Sequence, residues 1–434
     1  MKYIKTLFIL ISLVFLWSGK AASQQASPEA CVPGPHTGII TADETWCLVD
    51  SPHIIIGTVT INPGVTLTIE AGVTVKSDWW DSLWVKGHLD ATGTLAQQIK
   101  FTSMDESAPT YWQGLAIDGG TADLQYVTIS YGGHQGNPAT PDQYIGAGLA
   151  VRNVLSGTVI LQNSQILHTR GVTPNGPSMT DWGLYVENSH VVLSGVLFKH
   201  NGDVDNTDFP IYVYGANSQI EWQTVSFEDN LRNVVALGPE AFTAHDFTLL
   251  RQAGLDAYQL DAYLTIPSGI TLTVDPGVRI ISRTGGPGGL SIQGYLDAQG
   301  TSTLPIIFTS TSDDGISQWA GILIAGGAAD LDYVTIRCAG ERGLWITNVT
   351  AGEVQLVNSV IELNGYGFDE YGHTDYALAI ENSHVYVVGT LLRNNNTSNV
   401  PTDKVLWVDG ADSQVTLEYN TLKNNAGGLQ INAG

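Results

Sequence analysis

Basic residues are scarce in this chain. Eighteen Lys and Arg stand against 42 Asp and Glu among 434 residues, so the formal net charge at pH 7 is −24. A surface of this sign repels nucleic acid and anionic lipid, and we expect no nucleic-acid partner. It also disfavours a polyanionic substrate unless a cation bridges the two.

Long apolar runs are also missing, apart from one at the N-terminus. The run from Leu7 to Trp17 is too short to span a bilayer; two lysines precede it and Ala21-Ala22-Ser23 follows it. This order is typical of a secretory signal peptide, predicted at 1–23, and an uncut N-terminal anchor is the alternative. Cleavage removes three basic residues and leaves 15 against 42 acidic ones, a net charge of −27. We expect a secreted or cell-surface protein with no membrane span after cleavage.

Only three cysteines occur. Cys31 and Cys47 could form a disulfide in an oxidising compartment and close an N-terminal cap, predicted at 24–53. Cys338 is left over, and we interpret it as a packed thiol because Tyr131 occupies the corresponding position of the first half. The sequence also lacks a nucleophile elbow, a phosphate-binding loop and zinc-ligand spacing.

The sequence contains a long internal duplication. The segment 64–73 recurs 205 residues later as 269–278. Four further segments recur in the same order, namely 89–94 at 296–301, 112–115 at 319–322, 122–129 at 329–336 and 187–191 at 381–385. Matches in one order predict two copies of one array.

Short alternating strands come in threes within each copy. One triplet is 148–151, 159–161 and 165–167, and the next begins at 184. Triplets that repeat about every 30 residues, without helical patterns between them, predict stacked three-strand coils. A β-sandwich or a propeller is the alternative, but propeller blades need four strands and a longer period.

Several turn and core motifs are shared with a known family. They are Thr45-Trp46, Ser51-Pro52, Leu67-Thr68-Ile69-Glu70, Leu89-Asp90-Ala91, Phe101-Thr102-Ser103 and their second-half counterparts, including Pro305-Ile306-Ile307-Phe308. Through them the sequence resembles the bacterial extracellular β-helix repeat proteins of the pectate-lyase-like superfamily. The resemblance implies a right-handed parallel β-helix and a surface or adhesin-like protein, and some relatives cleave acidic polysaccharides.

We therefore predict an all-β fold, a right-handed parallel β-helix (solenoid) of two tandem six-coil arrays. The first array is predicted at 54–232, a junction or cap at 233–262 and the second array at 263–434. The last segment begins another strand, so the array could be incomplete or could cap against an additional C-terminal module.

The connection from the third strand of each coil to the next first strand is long and variable. In copy one these loops are 77–82, 103–111, 131–147, 169–181 and 200–209, and in copy two they are 282–289, 310–318, 337–342, 363–375 and 394–403. Stacking is expected to place such loops in a column along one edge, where binding residues usually lie. Residues present in both copies, such as Trp112 and Trp319, are interpreted as scaffold.

The richest loop chemistry lies in copy one. Loop 77–82 places Trp79 and Trp80 between Asp78 and Asp81. Indole faces can stack on a sugar ring while carboxylates hold its hydroxyl groups. The alternative is that the indoles fold back over the coil edge. His134 and His200 complete the predicted ligand-binding set.

Later loops of copy one hold the candidates for metal binding and catalysis. Asp203, Asp205 and Asp208 offer alternating carboxylates to a Ca²⁺, and a solvated acidic turn is the alternative. The catalytic candidates are Arg170, His168 and Asp181. A polysaccharide lyase would combine the Ca²⁺ with an arginine base, and a hydrolase would need two facing carboxylates.

The sequence favours a non-catalytic protein that binds carbohydrate or another surface ligand along the loop column. It requires no cofactor, and Ca²⁺ is the cofactor that its motifs could accommodate. A polysaccharide lyase or glycoside hydrolase is the alternative function.

Overall fold

The structure, a computed structural model, describes residues 30–107, 111–134, 146–170, 181–202, 207–283, 288–314, 319–340, 342–365, 375–395 and 403–432. These residues form strands β1 to β42, numbered along the chain, and one 3-10 helix at Leu48–Asp50. Within these ranges there is no α-helix. A helix with the length and apolarity needed to cross a membrane is likewise not found among them.

In copy one, β1 (His36–Ile40) is followed by coils of three strands. Its first strands are β3 (His53–Ile61), β6 (Ser82–Val85), β9 (Gly114–Asp118), β12 (Ala147–Arg152), β15 (Trp182–Glu187), β18 (Phe209–Tyr214) and β21 (Val234–Leu237). Its second strands are β2 (Glu44–Trp46), β4 (Thr66–Ile69), β7 (His88–Thr92), β10 (Thr121–Gln125), β13 (Val159–Gln162), β16 (His190–Ser194) and β19 (Gln219–Gln223). Its third strands are β5 (Thr74–Ser77), β8 (Ile99–Ser103), β11 (Val127–Ser130), β14 (Gln165–Leu167), β17 (Leu197–Lys199) and β20 (Ser226–Glu228).

Copy two repeats this order. Its first strands are β24 (Tyr263–Ile266), β27 (Gly289–Ile292), β30 (Ile322–Ala325), β33 (Arg342–Thr347), β36 (Tyr376–Glu381), β39 (Lys404–Asp409) and β42 (Gly428–Asn432). Its second strands are β22 (Phe247–Leu249), β25 (Thr271–Val274), β28 (Tyr295–Gln299), β31 (Ala328–Asp332), β34 (Val354–Val357), β37 (His384–Val388) and β40 (Gln414–Glu418). Its third strands are β23 (Ala257–Leu260), β26 (Arg279–Ser282), β29 (Ile306–Ser310), β32 (Val334–Arg337), β35 (Val360–Glu362), β38 (Leu391–Arg393) and β41 (Thr421–Lys423).

Strands of the same role stack in parallel and in register. Leu67 pairs with Leu89, and Leu89 pairs with Ala122 in the next coil. Side chains alternate between the two faces of a strand, so the buried partners of successive coils form columns inside the solenoid. The structure thus confirms the predicted all-β parallel β-helix.

The sheets change partners between the two copies. β21, a first strand of copy one, pairs with β23, and β23 pairs with β26. Since β23 and β26 are third strands of copy two, the first-strand sheet of copy one continues into the third-strand sheet of copy two. The other sheets of copy one end at β19 and β20, and those of copy two begin at β22 and β24. The sheet that holds the first strands of copy one thus holds the third strands of copy two. The strand order of copy two is therefore rotated by one sheet position, roughly one third of a turn in a three-strand coil.

One hydrophobic core runs through both copies. Its buried side chains extend in a single cluster from Ile40 to Val408 and include Leu237 and Leu260 on either side of the change of partners. Because each coil buries its inner face against its neighbours, this continuity joins the two copies into one solenoid. β21, β22 and β23 all lie within the predicted junction 233–262.

The N-terminal end is closed by a disulfide and a stack of aromatic rings. Cys31 and Cys47 form the disulfide that the sequence suggested. Beside it, the ring of Trp46 stacks on His36 at 3.9 Å and on His53 at 5.5 Å, centre to centre. The third cysteine, Cys338, is a free and fully buried thiol, as predicted.

Candidate ligand-binding edge

Trp79 and Trp80 meet His134, which comes from a loop two coils further along the chain. Their ring centres lie 5.5 Å and 4.9 Å from that of His134. His134 is 4% exposed, whereas Trp79 is 36% and Trp80 52% exposed. The indoles are therefore held in place from one side while much of their surface faces solvent. The structure brings these three predicted ligand-binding residues together.

Asp78 and Asp81 shape the loop that carries the two indoles. Asp81 accepts hydrogen bonds from the backbone N–H of Gly57 at 2.6 Å and of Asp78 at 3.0 Å. Asp78 accepts one from the N–H of Trp79 at 2.9 Å. Burial raises the pKa of Asp81, although the two backbone N–H groups act in the opposite direction. These contacts order the backbone beneath the indoles.

A row of stacked rings continues from the next loops. Tyr131 lies 5.9 Å from Tyr111 and 5.2 Å from His168, and His168 lies 4.9 Å from His200, measured between ring centres. Tyr131, His168 and His200 each directly follow a third strand and have positive φ angles of 59°, 53° and 56°. The same backbone turn therefore presents one ring in each of these three successive coils. We call the seven residues Trp79, Trp80, Tyr111, Tyr131, His134, His168 and His200 the aromatic edge.

Electrostatics along this row favour neutral rings. Burial lowers the pKa of His168, and the neighbouring His200 and Lys199 lower it further. Burial also raises the pKa of Tyr131, and the nearby Glu106 adds to this effect. A neutral imidazole and a neutral phenol can stack without mutual repulsion and still exchange hydrogen bonds with a ligand.

A buried row of amides fixes the corner beneath the rings. The Asn201 side chain accepts hydrogen bonds from the N–H and the hydroxyl group of Thr169 at 3.2 Å and 2.9 Å. It donates to the carbonyl of Ile166 at 3.0 Å and to the side-chain oxygen of Asn230 at 2.9 Å. In copy two, Asn364 donates in the same way to Asn395 at 3.2 Å. The amides thus satisfy backbone groups that the turn would otherwise leave without partners.

The structure places the predicted catalytic residues in different surroundings. Arg170 is exposed, and its backbone N–H donates to the carbonyl of Gly132 at 3.0 Å. Asp181 is 0% exposed and its backbone N–H donates to a carboxylate oxygen of Asp208 at 3.2 Å. The His168 ring stacks on that of His200.

Asp181 and Asp208 recur in the second copy. Asp375 and Asp403 occupy the equivalent positions, are 2% and 3% exposed, and are joined by the same 3.2 Å backbone-to-carboxylate hydrogen bond. A buried contact that both copies share is expected of the scaffold. Asp203 and Asp205, the other proposed Ca²⁺ ligands, lie outside the described residues. Among the residues that are described, no three His, Cys, Asp or Glu side chains are arranged to hold a metal ion.

The sequence analysis missed Tyr111 and Tyr131 as members of the edge. The available signal was the position directly after each third strand, which is Tyr131, His168 and His200 in successive coils. The interpretation of Trp112 and Trp319 as scaffold fits their equivalent contacts. Both indoles are buried and donate to a backbone carbonyl, that of Ser130 at 2.9 Å and that of Arg337 at 2.8 Å.

The loops of copy two leave the solenoid at a different corner from those of copy one. In copy one they leave the sheet of β5 to β20, and in copy two they leave the sheet that continues from β21 through β23 to β41. The starting points of the loops therefore form two separate loop columns, divided by the change of partners between the copies.

A family comparison agrees with this architecture. Residues 243–335 match the family model of the pectate-lyase-like beta helix domain. No curated protein matches the sequence at a significant level. Among solved structures, the chain is similar to a mutant tailspike protein of E. coli bacteriophage HK620 at 13% identity, with 91% of this chain and 71% of that chain covered and a TM-score of 0.23. A second mutant of that tailspike, in complex with a hexasaccharide, matches at 12% identity over the same shares and with the same TM-score. The predicted resemblance to pectate-lyase-like β-helix proteins is confirmed, by the family model over residues 243–335 and by the parallel coils of the structure.

Proposed function

We propose that this chain is an extracellular, non-catalytic protein that binds carbohydrate along the aromatic edge. The observation that carries the proposal is the position of Trp79 and Trp80, anchored against His134 yet 36% and 52% exposed. Preorganised, partly exposed aromatic faces suit the apolar face of a sugar ring, because little side-chain entropy is lost on binding.

The row from Tyr111 to His200 supports an extended ligand. Its rings recur once per coil at separations of 4.9 to 5.9 Å. Successive sugar units of an oligosaccharide could contact successive coils. The hydroxyl and imidazole groups along the row can donate and accept hydrogen bonds.

Two further features support an extracellular location and a non-catalytic role. The Cys31–Cys47 disulfide fits an oxidising compartment, as expected after secretion. Asp181 and Asp208 are 0% exposed, so neither carboxylate faces solvent in this conformation. For this reason we favour binding over the alternative of a lyase or hydrolase.

The test is binding to a glycan panel by three forms of the protein. Trp80→Ala is expected to weaken binding about tenfold, the loss typical of one ring contact with a ligand. Tyr386→Ala is the matched control, because Tyr386 is 44% exposed on β37 and lies outside the aromatic edge. It should bind like the wild type.

Two results would contradict the proposal. Equal binding by the Trp80→Ala and Tyr386→Ala variants would show that the aromatic edge is not the binding site. New reducing ends, or unsaturated uronate absorbance in the presence of Ca²⁺, would show that the protein is an enzyme.

A further inference from the structure

A second aromatic cluster lies on the outward face of the first-strand sheet of copy two. It consists of Arg342 and Trp345 on β33, Tyr376 on β36 and Trp407 on β39. The guanidinium carbon of Arg342 is 3.6 Å from the centre of the Trp345 ring and 6.0 Å from that of Tyr376. The rings of Tyr376 and Trp407 are 5.1 Å apart. All four side chains are half-buried.

Arg342 contacts two aromatic rings of this cluster, those of Trp345 and Tyr376. Tyr263 lies on β24 of the same sheet, at the start of copy two, and is 39% exposed. Burial raises the pKa of Tyr263, and the positive charge of Arg342 opposes that rise.

Arg342 has no carboxylate at ion-pair distance among the residues that the structure describes. Copy one offers a direct comparison, because Arg152 lies 5.2 Å from the centre of the Tyr185 ring. There, Glu187 is 3.8 Å from the Arg152 guanidinium and balances its charge. Both arginines therefore contact an aromatic ring. Of the two, only Arg152 also has a carboxylate at ion-pair distance among the described residues.

A half-buried cation that meets no carboxylate among the described residues is a candidate binding group for an anion. Partial burial removes water from the guanidinium without supplying a negative partner, and this costs free energy that an anionic ligand can recover. An arginine stacked on an indole keeps its edge N–H groups free for two parallel hydrogen bonds to a carboxylate. The surrounding ring faces suit a sugar ring or another flat apolar body.

We propose that the cluster of Arg342, Trp345, Tyr376 and Trp407 binds a sugar that carries a single carboxylate. The carboxylate pairs with Arg342, and the sugar ring packs on the adjoining aromatic faces. The whole chain has a net charge of −24. This overall negative charge disfavours a polyanion, so the ligand carries isolated carboxylates. The site is separate from the aromatic edge of copy one.

The test uses calorimetric titration of the full chain with two sugars. The acidic probe is xylotriose bearing one glucuronate, and the neutral probe is xylotetraose, which has the same number of sugar units. The wild type should bind the acidic probe at least tenfold more tightly. Arg342→Gln should abolish this preference and Arg342→Lys should retain part of it, because lysine keeps the charge but not the planar fork. Arg152→Gln is the matched control and should leave the preference unchanged.

Four outcomes would overturn the proposal. They are no binding of the acidic probe by the wild type, equal binding of both probes, an unchanged preference in a folded Arg342→Gln protein, and loss of acidic-probe binding in Trp80→Ala while Arg342→Gln retains it. The last result would show that the acidic probe binds at the aromatic edge and not at Arg342. Circular dichroism of each variant establishes that the fold is intact.

Discussion

Single residues hold backbone conformations in this solenoid that few side chains adopt. Tyr131, His168 and His200 all have positive φ. A non-glycine residue in this region costs roughly 1–2 kcal/mol. The buried hydrogen bonds of Asn201 and Thr169 in the same turns help to offset that cost. The sequence indicates this conformation only in part, because His is enriched among non-glycine residues with positive φ whereas Tyr is not.

The stacked rings of the N-terminal end give a pH dependence that can be measured. Burial, with the adjacent His53, lowers the pKa of His36 to about 4, against about 6.5 when the chain is unfolded. Between these values the unfolded chain binds the additional proton, so the contribution of His36 to stability is complete above pH 6.5 and is lost as the pH falls towards 4. The loss should be about 1–3 kcal/mol.

Urea unfolding of the wild type and of His36→Gln at pH 7.5 and 4.5 checks this prediction. The variant should lose less stability than the wild type over that interval. The same loss in both proteins would show that His36 does not contribute to acid sensitivity.

At the scale of strands, the outward face of the third strands in copy two is held by alternating charges. Glu362 on β35 is 2.6 Å from Arg393 on β38 and 3.4 Å from Arg337 on β32. Asp313 lies 2.9 Å from Arg337 and 2.9 Å from Arg279 on β26. The Glu362 side chain is only 8% exposed. These ion pairs connect four third strands across their shared outer surface.

Removing the central charge should weaken this part of the solenoid. Glu362→Gln leaves Arg337 and Arg393 without their common counter-ion, and we expect a loss of about 1–2 kcal/mol, since Arg393 is 44% exposed and partly screened. Glu228→Gln is the control, because Glu228 pairs with Lys199 at 3.0 Å but is 52% exposed. Its loss should stay below about 0.5 kcal/mol.

Denaturant midpoints of the two variants provide the measurement. A Glu362→Gln protein as stable as the Glu228→Gln protein would show that the charged row adds nothing beyond an ordinary surface pair.

On the scale of the whole molecule, the sequence reveals the coils but not how the two copies stack. The recurrence of 64–73 as 269–278 and the strand triplets predict the parallel solenoid, because those patterns encode turns and inward-facing apolar positions. The pairing of β21 with β23 brings a first strand onto a third strand. Both roles have similar alternating sequences, so the pattern alone does not distinguish which sheet continues. The separation of the two loop columns follows from that pairing and was therefore not foreseen.

The repeat also predicts part of the candidate site, because it shows which loops lie next to each other. Stacking of successive loops follows from the repeat, and it correctly places Trp79 and Trp80 near His134. The copy-two cluster around Arg342 lies on an outward strand face, where alternation shows that a side chain faces outward but not which groups surround it.

Hydrogen exchange measured with and without the tightest-binding neutral glycan of the panel tests the aromatic edge most directly. We expect slower exchange in segments 78–82, 111–113, 131–134 and 168–170, which are far apart in sequence but adjacent along one corner. Protection confined to copy two, or spread over the outer faces of the second strands, would contradict a carbohydrate site at this edge.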